Sequence, residues 1–330
     1  MKRRTLLAAA AALGATSAAR AQTTASPVIP AVLTIMVPFP AGGASDLYAR
    51  AVAPRMAKEL GCTVIVENLP GASGSIAVAK VLGRAAIGDM LVLGSPTEMI
   101  LAPATMQSAR YKPEDFRALA MLSRSQLALY ARSDLPASNV DELVAFAKAN
   151  PDKPLTYGSV GVGSIYHLAG QAFADAAGVV MSHVPYKGGA PLLQDLAGGH
   201  IDVVLLPANG DMARRVATGK PKALAVTGST RSSVFPAIPS FAESRSMPRF
   251  TTVDSWAGLF IPASAPAPLT QAISRAVLAT LADADVQQQL QAQSGVPLSA
   301  PLSTPQLAAY YTAEIERYTQ AIRKAKLTPV

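Results

Sequence analysis

The sequence predicts an α/β fold made of two lobes, and three observations support this fold class. Two glycine-rich turns, at 38–46 and 157–164, each follow an apolar strand-like run and precede a stretch with helical spacing. The rest of the chain also alternates strand-like and helix-like segments, which favours layered α/β units with mainly parallel sheets. The length of 330 residues suits two lobes of ordinary domain size.

The first unit is predicted to begin with a strand at Val32–Val37 that leads into the first glycine turn. A helix follows at Asp46–Leu60, because Tyr48, Val52 and Met56 recur at the spacing of one buried helical stripe. The same reasoning from apolar periodicity predicts the remaining elements of this unit. They are a helix at Gly74–Gly83 and strands at Thr63–Glu67, Met90–Leu93, Arg117–Leu122 and Leu127–Ala131.

The second unit is predicted to start with a helix that ends at Asn150. Ser138 is the predicted N-cap of this helix, because its hydroxyl and the carboxylate of Asp141 can satisfy free N–H groups of the first turn. The strand Leu155–Gly158 leads into the second glycine turn, and the helix Ser164–Gly178 leaves it. The remaining elements are strands at His183–Pro185, Ile201–Leu206 and Ala223–Thr227 and helices at Ala190–Ala197 and Asp211–Thr218.

The last part of the chain is predicted to return to the first unit. The segment Gly228–Val253 is rich in Ser, Pro and Arg and lacks periodicity, which indicates a connection. A strand and three helices then close the chain, at Trp256–Ile261, Leu269–Leu281, Asp285–Ser294 and Gln306–Ala325. Because the closing helices need a sheet to pack on, we expect lobe one at 31–124 plus 255–330 and lobe two at 125–254, including the crossing segments.

The N-terminal segment has the pattern of an export signal. Lys2, Arg3 and Arg4 precede a short apolar run at Leu6–Ala19, and positions 19–21 have the small-x-small pattern of a cleavage site. Residues 1–21 are therefore predicted to be a signal peptide for the twin-arginine (Tat) or Sec route, which places the mature chain in the periplasm. The alternative is an N-terminal helix of the mature fold, but this segment has no polar face.

Composition argues against nucleic-acid binding and against disulfide bonds. The whole chain has a formal charge of +8, and removing the four basic residues of the signal segment leaves +8 − 4 = +4. These charges are dispersed and aromatic residues make up 5% of the chain, so no basic stripe with aromatic partners is present. Cys62 is the single cysteine, so no internal disulfide can form.

The sequence contains no recognisable motif of a metal site, a cofactor site or an enzyme. Its three histidines lack metal-ligand spacing, no Gly-x-Ser-x-Gly elbow occurs, and Tyr166 stands where a dinucleotide fingerprint beginning at Gly161 needs its third glycine. We therefore expect no cofactor, no metal and no catalysis. The alternative is a periplasmic hydrolase that uses Ser164 or Ser45 with His167, although no carboxylate is placed to orient this histidine.

The two glycine turns indicate anion binding instead. A helix N-terminus has four N–H groups without intrahelical partners and carries a partial positive charge. Small residues at that position let an anion approach the backbone closely. Because the two turns lie far apart in the sequence, they can face each other from two lobes, which predicts a clamp for a small negatively charged solute.

A series of short motifs runs in order from about Val32 to Lys326. It consists of IMVPFPAGG (35–43), VENLPGASG (66–74), YGS (157–159), HLAG (167–170), HVPYKGG (183–189), KALAVT (222–227) and SWAGL (255–259). This ordered series resembles the substrate receptors of tripartite tricarboxylate transporters, the Bug family. Each motif alone is a weak signal, whereas their order along the chain is specific.

The resemblance implies a type II periplasmic binding protein fold, in which two α/β lobes, crossed twice by the chain, enclose a ligand cleft. Members of this family capture small organic acids and hold one carboxylate on backbone amides and ordered waters near the first glycine turn. In lobe one, the implied ligand-binding residues are Phe39, Ala41, Gly42, Gly43, Ser45, Asp46 and Ser95. In lobe two, they are Ser159, Gly161, Gly163, Ser164, His167, Tyr186, Gly188, Gly189, Asp202 and Asn209.

The sequence departs from the family pattern a few residues after Asp202. Leu206 and Pro207 occupy positions where the family usually has an aspartate and an asparagine, and Asn209 replaces part of that pair. We therefore expect the far end of the ligand to be neutral or apolar rather than an ammonium group. The resemblance also implies a monomeric receptor whose partners are membrane transporter subunits or a sensor protein.

Overall fold

The computed structural model describes residues 28–297 and 300–324, which form two α/β lobes with a five-stranded sheet in each. This confirms the predicted two-lobe α/β fold. The predicted signal peptide at 1–21 and Ala325, the predicted end of the last helix, lie outside the described residues. Within the described ranges, no helix is long and apolar enough to cross a bilayer.

The strands and helices alternate along most of the chain. In chain order they are β1 (Val32–Val37), α1 (Ala44–Leu60), β2 (Thr63–Asn68), α2 (Ser75–Leu82), β3 (Met90–Gly94), α3 (Ala102–Thr105), β4 (Phe116–Ser125), β5 (Leu127–Ala131), α4 (Val140–Ala149), β6 (Leu155–Ser159), α5 (Ile165–Ala177), β7 (Met181–Pro185), α6 (Gly189–Ala197), β8 (Val203–Pro207), α7 (Gly210–Ala217), β9 (Lys222–Val226), β10 (Ser255–Pro262), α8 (Ala267–Ala282), α9 (Ala284–Ser294) and α10 (Thr304–Lys324).

The first sheet has the strand order β2-β1-β3-β10-β4, with β1 parallel to β2 and β3 and with β10 antiparallel to β3 and β4. Successive side chains of a strand point to opposite faces. Leu33 and Ile35 of β1 accordingly pack with α1, α8 and α9, while Met36 packs in the cluster that contains α2 and α10. The closing helices therefore pack on the first sheet, as the sequence predicts.

The second sheet has the order β7-β6-β8-β5-β9. β6 is parallel to β7 and β8, and β5 is antiparallel to β8 and β9. Leu192 of α6 and Met212 of α7 pack on one face with Tyr130, whereas Phe173 of α5 packs on the other face with Leu129. Both sheets thus have helices on each face, which is why their central strands are almost entirely buried.

The chain crosses between the lobes between β4 and β5 and again between β9 and β10. The predicted lobe ranges stay a prediction, which the division of the strands between the two sheets supports. One detail differs, because Ser125 pairs with Ser255 in the first sheet although its number falls in the predicted range of lobe two.

Two local elements differ from the sequence-based expectations. Asn139 caps α4 instead of Ser138, because its side-chain oxygen accepts the Glu142 N–H at 2.9 Å while the Ser138 N–H donates to the Glu142 carboxylate at 2.7 Å. A π-helical turn at Thr97–Leu101 continues into α3 in a segment for which no helix is predicted. This turn buries Glu98 completely.

Candidate functional site

A cavity of about 110 Å³ lies between the lobes. Turns that follow β1, β3, β6 and β8 all contribute to it, because the carboxyl ends of parallel strands open at one edge of a sheet. The volume is sufficient for several water molecules or a small organic solute. The lining residues are Phe39, Gly42, Gly43, Ala44, Ser45, Tyr48, Ser95, Ser123, Ser125, Val160, Tyr166, Gly189, Ala190, Leu193, Leu206, Pro207, Asn209, Asp211, Met212, Arg215, Ser255, Trp256 and Ala257.

The first glycine turn places the N-terminus of α1 at this cavity. Gly43 is the N-cap residue, and no side chain caps the helix. In the described part of the chain, the N–H groups of Gly43, Ala44 and Ser45 have no hydrogen-bond partner, and all three residues line the cavity. Gly42 adopts a φ of +80°, a conformation that glycine tolerates and larger residues do not. Free donors and the positive end of the helix dipole together suit an anion.

Asp46 holds this turn in place and does not line the cavity. Its carboxylate accepts the Gly42 N–H at 2.9 Å and the Arg50 Nε–H at 3.0 Å. Burial opposes ionisation of Asp46, but the hydrogen bonds from Arg50 and Gly42 outweigh it and lower the pKa below the usual value. Asn68 completes the arrangement by donating from Nδ2 to the Phe39 carbonyl at 3.0 Å. Asp46 therefore supports the turn, and its predicted contact with the ligand stays a prediction.

Lobe two presents a second uncapped helix at the cavity. Gly188 is the N-cap of α6 and no side chain caps that helix, while Gly189 and Ala190 line the cavity. The start of α7 differs, because the Asn209 side chain accepts the Met212 N–H at 2.9 Å and caps it. Donors from both lobes therefore meet at the cavity, and those of lobe two come from α6.

Hydroxyl groups and one indole form the wall near the two crossings. Burial raises the pKa of Tyr48, and it raises the pKa of Tyr166 to about 12, so both phenols remain protonated at neutral pH and can donate hydrogen bonds. Ser123, Ser125 and Ser255 add three aliphatic hydroxyls. Trp256 is fixed by its own indole N–H, which donates to the buried carboxylate of Glu314 at 3.0 Å.

The structure brings some of the predicted ligand-binding residues to the cavity and leaves others outside it. Those that line the cavity are Phe39, Gly42, Gly43, Ser45, Ser95, Gly189 and Asn209. Those that lie outside it are Ala41, Asp46, Ser159, Gly161, Gly163, Ser164, His167, Tyr186, Gly188 and Asp202. The difference falls mainly on the second glycine turn.

Gly161 and Gly163 of the second glycine turn contact lobe one, and only Val160 of this turn lines the cavity. A Cβ atom built on Gly161 would lie 2.5 Å from Ser73 Oγ, and one built on Gly163 would lie 2.5 Å from Thr105 Oγ1. The N–H groups of these two glycines are also occupied, since that of Gly161 donates to Ser159 Oγ and that of Gly163 donates to His167 Nδ1, both at 3.1 Å. The glycines of this turn thus permit close lobe contact, and the expectation that they bind the ligand stays a prediction.

The residues beside this turn are also engaged with one another. Ser164 caps α5 by accepting the His167 N–H, and His167 Nδ1 accepts the Gly163 N–H at 3.1 Å. Ser159 Oγ lies 2.7 Å from His183 Nε2, and the two imidazole rings stack with centroids 4.1 Å apart. Burial lowers the pKa of His167; burial, followed by repulsion from His167, lowers the pKa of His183 to about 4. These groups support the fold rather than the cavity.

Four other predicted residues lie outside the cavity for different reasons. Ala41 is exposed at the outer side of its turn, and the hydroxyl of Tyr186 donates to Asp195 at 2.7 Å. A Cβ atom on Gly188 would lie 2.4 Å from Cδ of Pro40, so this glycine permits contact between the lobes. Asp202 precedes β8, at the edge of the sheet away from the cavity, and accepts hydrogen bonds from Arg132 and Thr156 there.

Leu206 and Pro207 both line the cavity. The expectation that the far end of the ligand is neutral or apolar rests on these two residues and stays a prediction. Sequence reasoning missed Asp211 and Arg215 on the same side. Their i, i+4 spacing on a predicted helix was the available signal, because it places two opposite charges on one face.

No group of three His, Cys, Asp or Glu side chains within residues 28–297 and 300–324 could share a metal ion.

The chain is similar to a family of transport receptors. Residues 48–327 match the family described as "Tripartite tricarboxylate transporter family receptor". Among solved structures, the periplasmic binding protein BugD is 29% identical with a TM-score of 0.81, and the alignment covers 91% of this chain and 99% of BugD.

Two other solved structures contain bound organic acids. MatC from Rhodopseudomonas palustris, solved with bound malate, is 28% identical with a TM-score of 0.78, over 89% of this chain and 100% of MatC. Another R. palustris protein, solved with adipate, is 27% identical with a TM-score of 0.80, over 91% of this chain and 99% of that protein. Both ligands are carboxylates, and the fold that holds them extends over nearly all of this chain.

Proposed function

Because the chain belongs to the tripartite tricarboxylate transporter receptor family, we propose that it holds one carboxylate of its ligand on the uncapped N-terminus of α1. The free N–H groups of Gly43, Ala44 and Ser45 at the cavity are the observation on which this assignment rests. The chain is a solute receptor for small organic carboxylates, and like its relatives it is a binding protein rather than an enzyme.

Backbone donors supply enough free energy for this task. A hydrogen bond to a charged group is worth about 1.5–3 kcal/mol. Micromolar affinity requires about 8 kcal/mol. Three such bonds from α1, with further donors from the start of α6 and from the phenols, reach that range after the costs of desolvation and lobe closure. The helix dipole adds to the binding free energy, because it favours negative charge at this end of α1.

The hydrolase alternative finds no support in the arrangement of serine and histidine. Ser164 is completely buried and caps α5. Ser45 lines the cavity, but His167 does not. The close Ser159–His183 pair lies away from the cavity, so it meets no bound solute there.

Receptors of this type are periplasmic, and members of the family act with transporter components. We propose that residues 1–21 direct export by the Tat or Sec route and that the mature chain acts as a monomer. Its partners would be the membrane subunits of a transporter, or a sensor protein that responds to the closed receptor. When the lobes close, residues of both lobes form one continuous surface. A membrane partner can distinguish this surface from that of the open form.

Thermal unfolding of the mature protein against a panel of acids tests the proposed function. Suitable probes are malate, succinate, glutarate, adipate, butyrate and hexanoate. An acid present at about one hundred times its dissociation constant should stabilise the native state by about 2.7 kcal/mol. We expect at least one of these acids to raise the melting temperature by several degrees.

Gly43→Leu should remove this stabilisation while the ligand-free protein still folds. Gly43 has an ordinary φ of −80°, and a Cβ there meets only the Pro40 carbonyl at 3.5 Å, so the added side chain fills the cavity without straining the backbone. Gly83→Leu is the matched control, because Gly83 also has an ordinary φ and a nearest contact of 3.5 Å but is exposed far from the cavity. A full ligand response in Gly43→Leu would exclude this turn as the carboxylate site.

A further inference from the structure

The cavity contains one pair of charged side chains, both on α7. Asp211 and Arg215 are four residues apart and share a helical face with Met212, which also lines the cavity. Among the cavity-lining residues of the described chain, no other side chain carries a charge. This pair therefore determines the charge on the lobe-two side of the ligand.

The guanidinium of Arg215 is only partly used by its partner. Arg215 Nε donates to Asp211 Oδ2 at 2.9 Å. The two terminal nitrogens of Arg215 have no hydrogen-bond partner in the part of the chain that the structure describes, and they carry four of the five N–H donors of an arginine. Asp211 thus fixes one edge of the guanidinium and leaves the other edge available to an acceptor.

Arg214 points in another direction and compensates the charge of Asp211. Its Nη1 donates to the Ala292 carbonyl of α9 at 2.7 Å, and its Nη2 lies 3.5 Å from Asp211 Oδ1. Arg214 does not line the cavity. Two arginines and one aspartate carry a net charge of 2 − 1 = +1, so this cluster attracts an anion even though Asp211 also faces the cavity.

We propose that Arg215 is the specificity-determining residue of this receptor and that it binds a second acidic group of the ligand. This inference rests on the proposed function, in which α1 holds the first carboxylate. The ligand is then a short dicarboxylate, with one acid group on each lobe and with Leu193, Leu206 and Met212 against its carbon chain. Asp211 acts as a positioning residue for the guanidinium. A dicarboxylate replaces the neutral or apolar far end that the sequence predicts, because Arg215 lines the cavity together with the apolar residues.

Calorimetric titration with matched acids of equal carbon number tests this inference. The pairs are succinate with butyrate, glutarate with valerate, and adipate with hexanoate. For the best dicarboxylate, we expect the wild-type protein to bind it at least tenfold more tightly than its monocarboxylate partner. In Arg215→Gln the dicarboxylate should lose about tenfold to a hundredfold in affinity, because charge-assisted hydrogen bonds are lost. The affinity for the monocarboxylate should change by less than about twofold.

Two further variants separate charge from geometry. Arg214→Gln is the matched control: like Arg215→Gln it lowers the charge of the cluster by one, but it leaves the Arg215 donors at the cavity, so the dicarboxylate-to-monocarboxylate ratio should fall much less than in Arg215→Gln. Arg215→Lys keeps the charge but lacks the planar fork, and we expect an intermediate ratio.

The outcomes distinguish this inference from the proposed function. Equal affinity for both members of every pair, or an equal loss of both in Arg215→Gln, would overturn the role of Arg215 and leave the carboxylate site at α1 intact. If no acid of the panel binds the wild-type protein, the proposed function itself fails, and this inference fails with it.

Discussion

At the scale of single residues, the buried carboxyl group of Glu98 is the clearest departure from ordinary solvation. Its side chain is fully buried and accepts hydrogen bonds from the N–H and the hydroxyl of Ser95, a residue that lines the cavity. Burial raises the pKa of Glu98 from 4.5 to about 8. The group is therefore mostly protonated at neutral pH, and the wall that carries Ser95 holds no buried negative charge to repel an anionic ligand.

Glu98 should make the stability of the protein depend on pH. Below pH 4.5 both the native and the unfolded states carry the proton, whereas between pH 4.5 and about 8 only the native state keeps it. The free energy of unfolding therefore falls as pH rises through this window, by a few kcal/mol in all, and becomes level above it. Glu98→Gln imitates the protonated acid and should lack this contribution.

Chemical denaturation of both proteins at intervals from pH 4.5 to 9 measures the effect. The variant should gain stability relative to the wild-type protein as pH rises, while all other titrating groups contribute equally to both curves. Parallel curves over this range would show that the carboxyl group ionises without cost in the folded state.

Several residues that the sequence predicts for the site reach the cavity because their position follows directly from local sequence. Phe39, Gly42 and Gly43 belong to a turn that connects a strand to a helix, so their position depends on neighbours in the chain. Ser123, Tyr166 and Trp256 reach the cavity only because separate elements pack together. No local pattern distinguishes such residues from ordinary core or surface positions.

At the scale of elements, the second glycine turn and the turn before α2 form a contact that joins the lobes. Ser73 Oγ donates to the Val162 carbonyl at 2.7 Å. Ala72 and Ser73 have φ values of +45° and +50°, which are unfavourable for residues with a side chain. Such a conformation costs about 1–3 kcal/mol for each residue, and the contact with lobe two helps to maintain it. We infer that this contact stabilises the closed form.

Ser73→Ala should therefore weaken ligand binding without altering the cavity. Loss of one hydrogen bond worth about 0.5–1.5 kcal/mol lowers the closed population and raises the apparent dissociation constant roughly twofold to tenfold. Titration with the acid identified in the thermal panel measures the change. Ser75→Ala is the matched control, because Ser75 Oγ donates to the Ala72 carbonyl within lobe one at 2.9 Å. Equal affinities in all three proteins would exclude the contact as a closure element.

The elements that the sequence failed to predict have physical explanations. The π-helical turn at Thr97–Leu101 is buried on every side and therefore has no amphipathic period to detect. The N-cap of α4 moved by one residue because Ser138 and Asn139 can both cap a helix, and the Glu142 side chain selects between them. The strands were predicted closely, because β-branched and other apolar runs bounded by glycine and proline leave few alternatives.

At the scale of the whole molecule, the path of the chain between the lobes could be predicted because the last helices need a sheet on which to pack. The sequence therefore predicted that the chain leaves the first lobe, builds the second and returns. The sequence could not predict whether each glycine turn contacts the cavity or the opposite lobe, because both turns have the same local pattern. Only the arrangement of the lobes places the glycines of the first turn at the cavity and Gly161 and Gly163 of the second turn against Ser73 and Thr105.

The proposed carboxylate site depends on the free backbone donors at the start of α1, and a crystal structure of the protein with an acid of proven affinity shows whether these donors hold it. We expect the acid to lie between the lobes, with one carboxylate bound to the backbone nitrogens of Gly43, Ala44 or Ser45 by hydrogen bonds of about 2.7–3.1 Å, either directly or through one ordered water. The other end should face α7. An acid found outside this cavity, or held in it without any contact to the start of α1, would contradict the account.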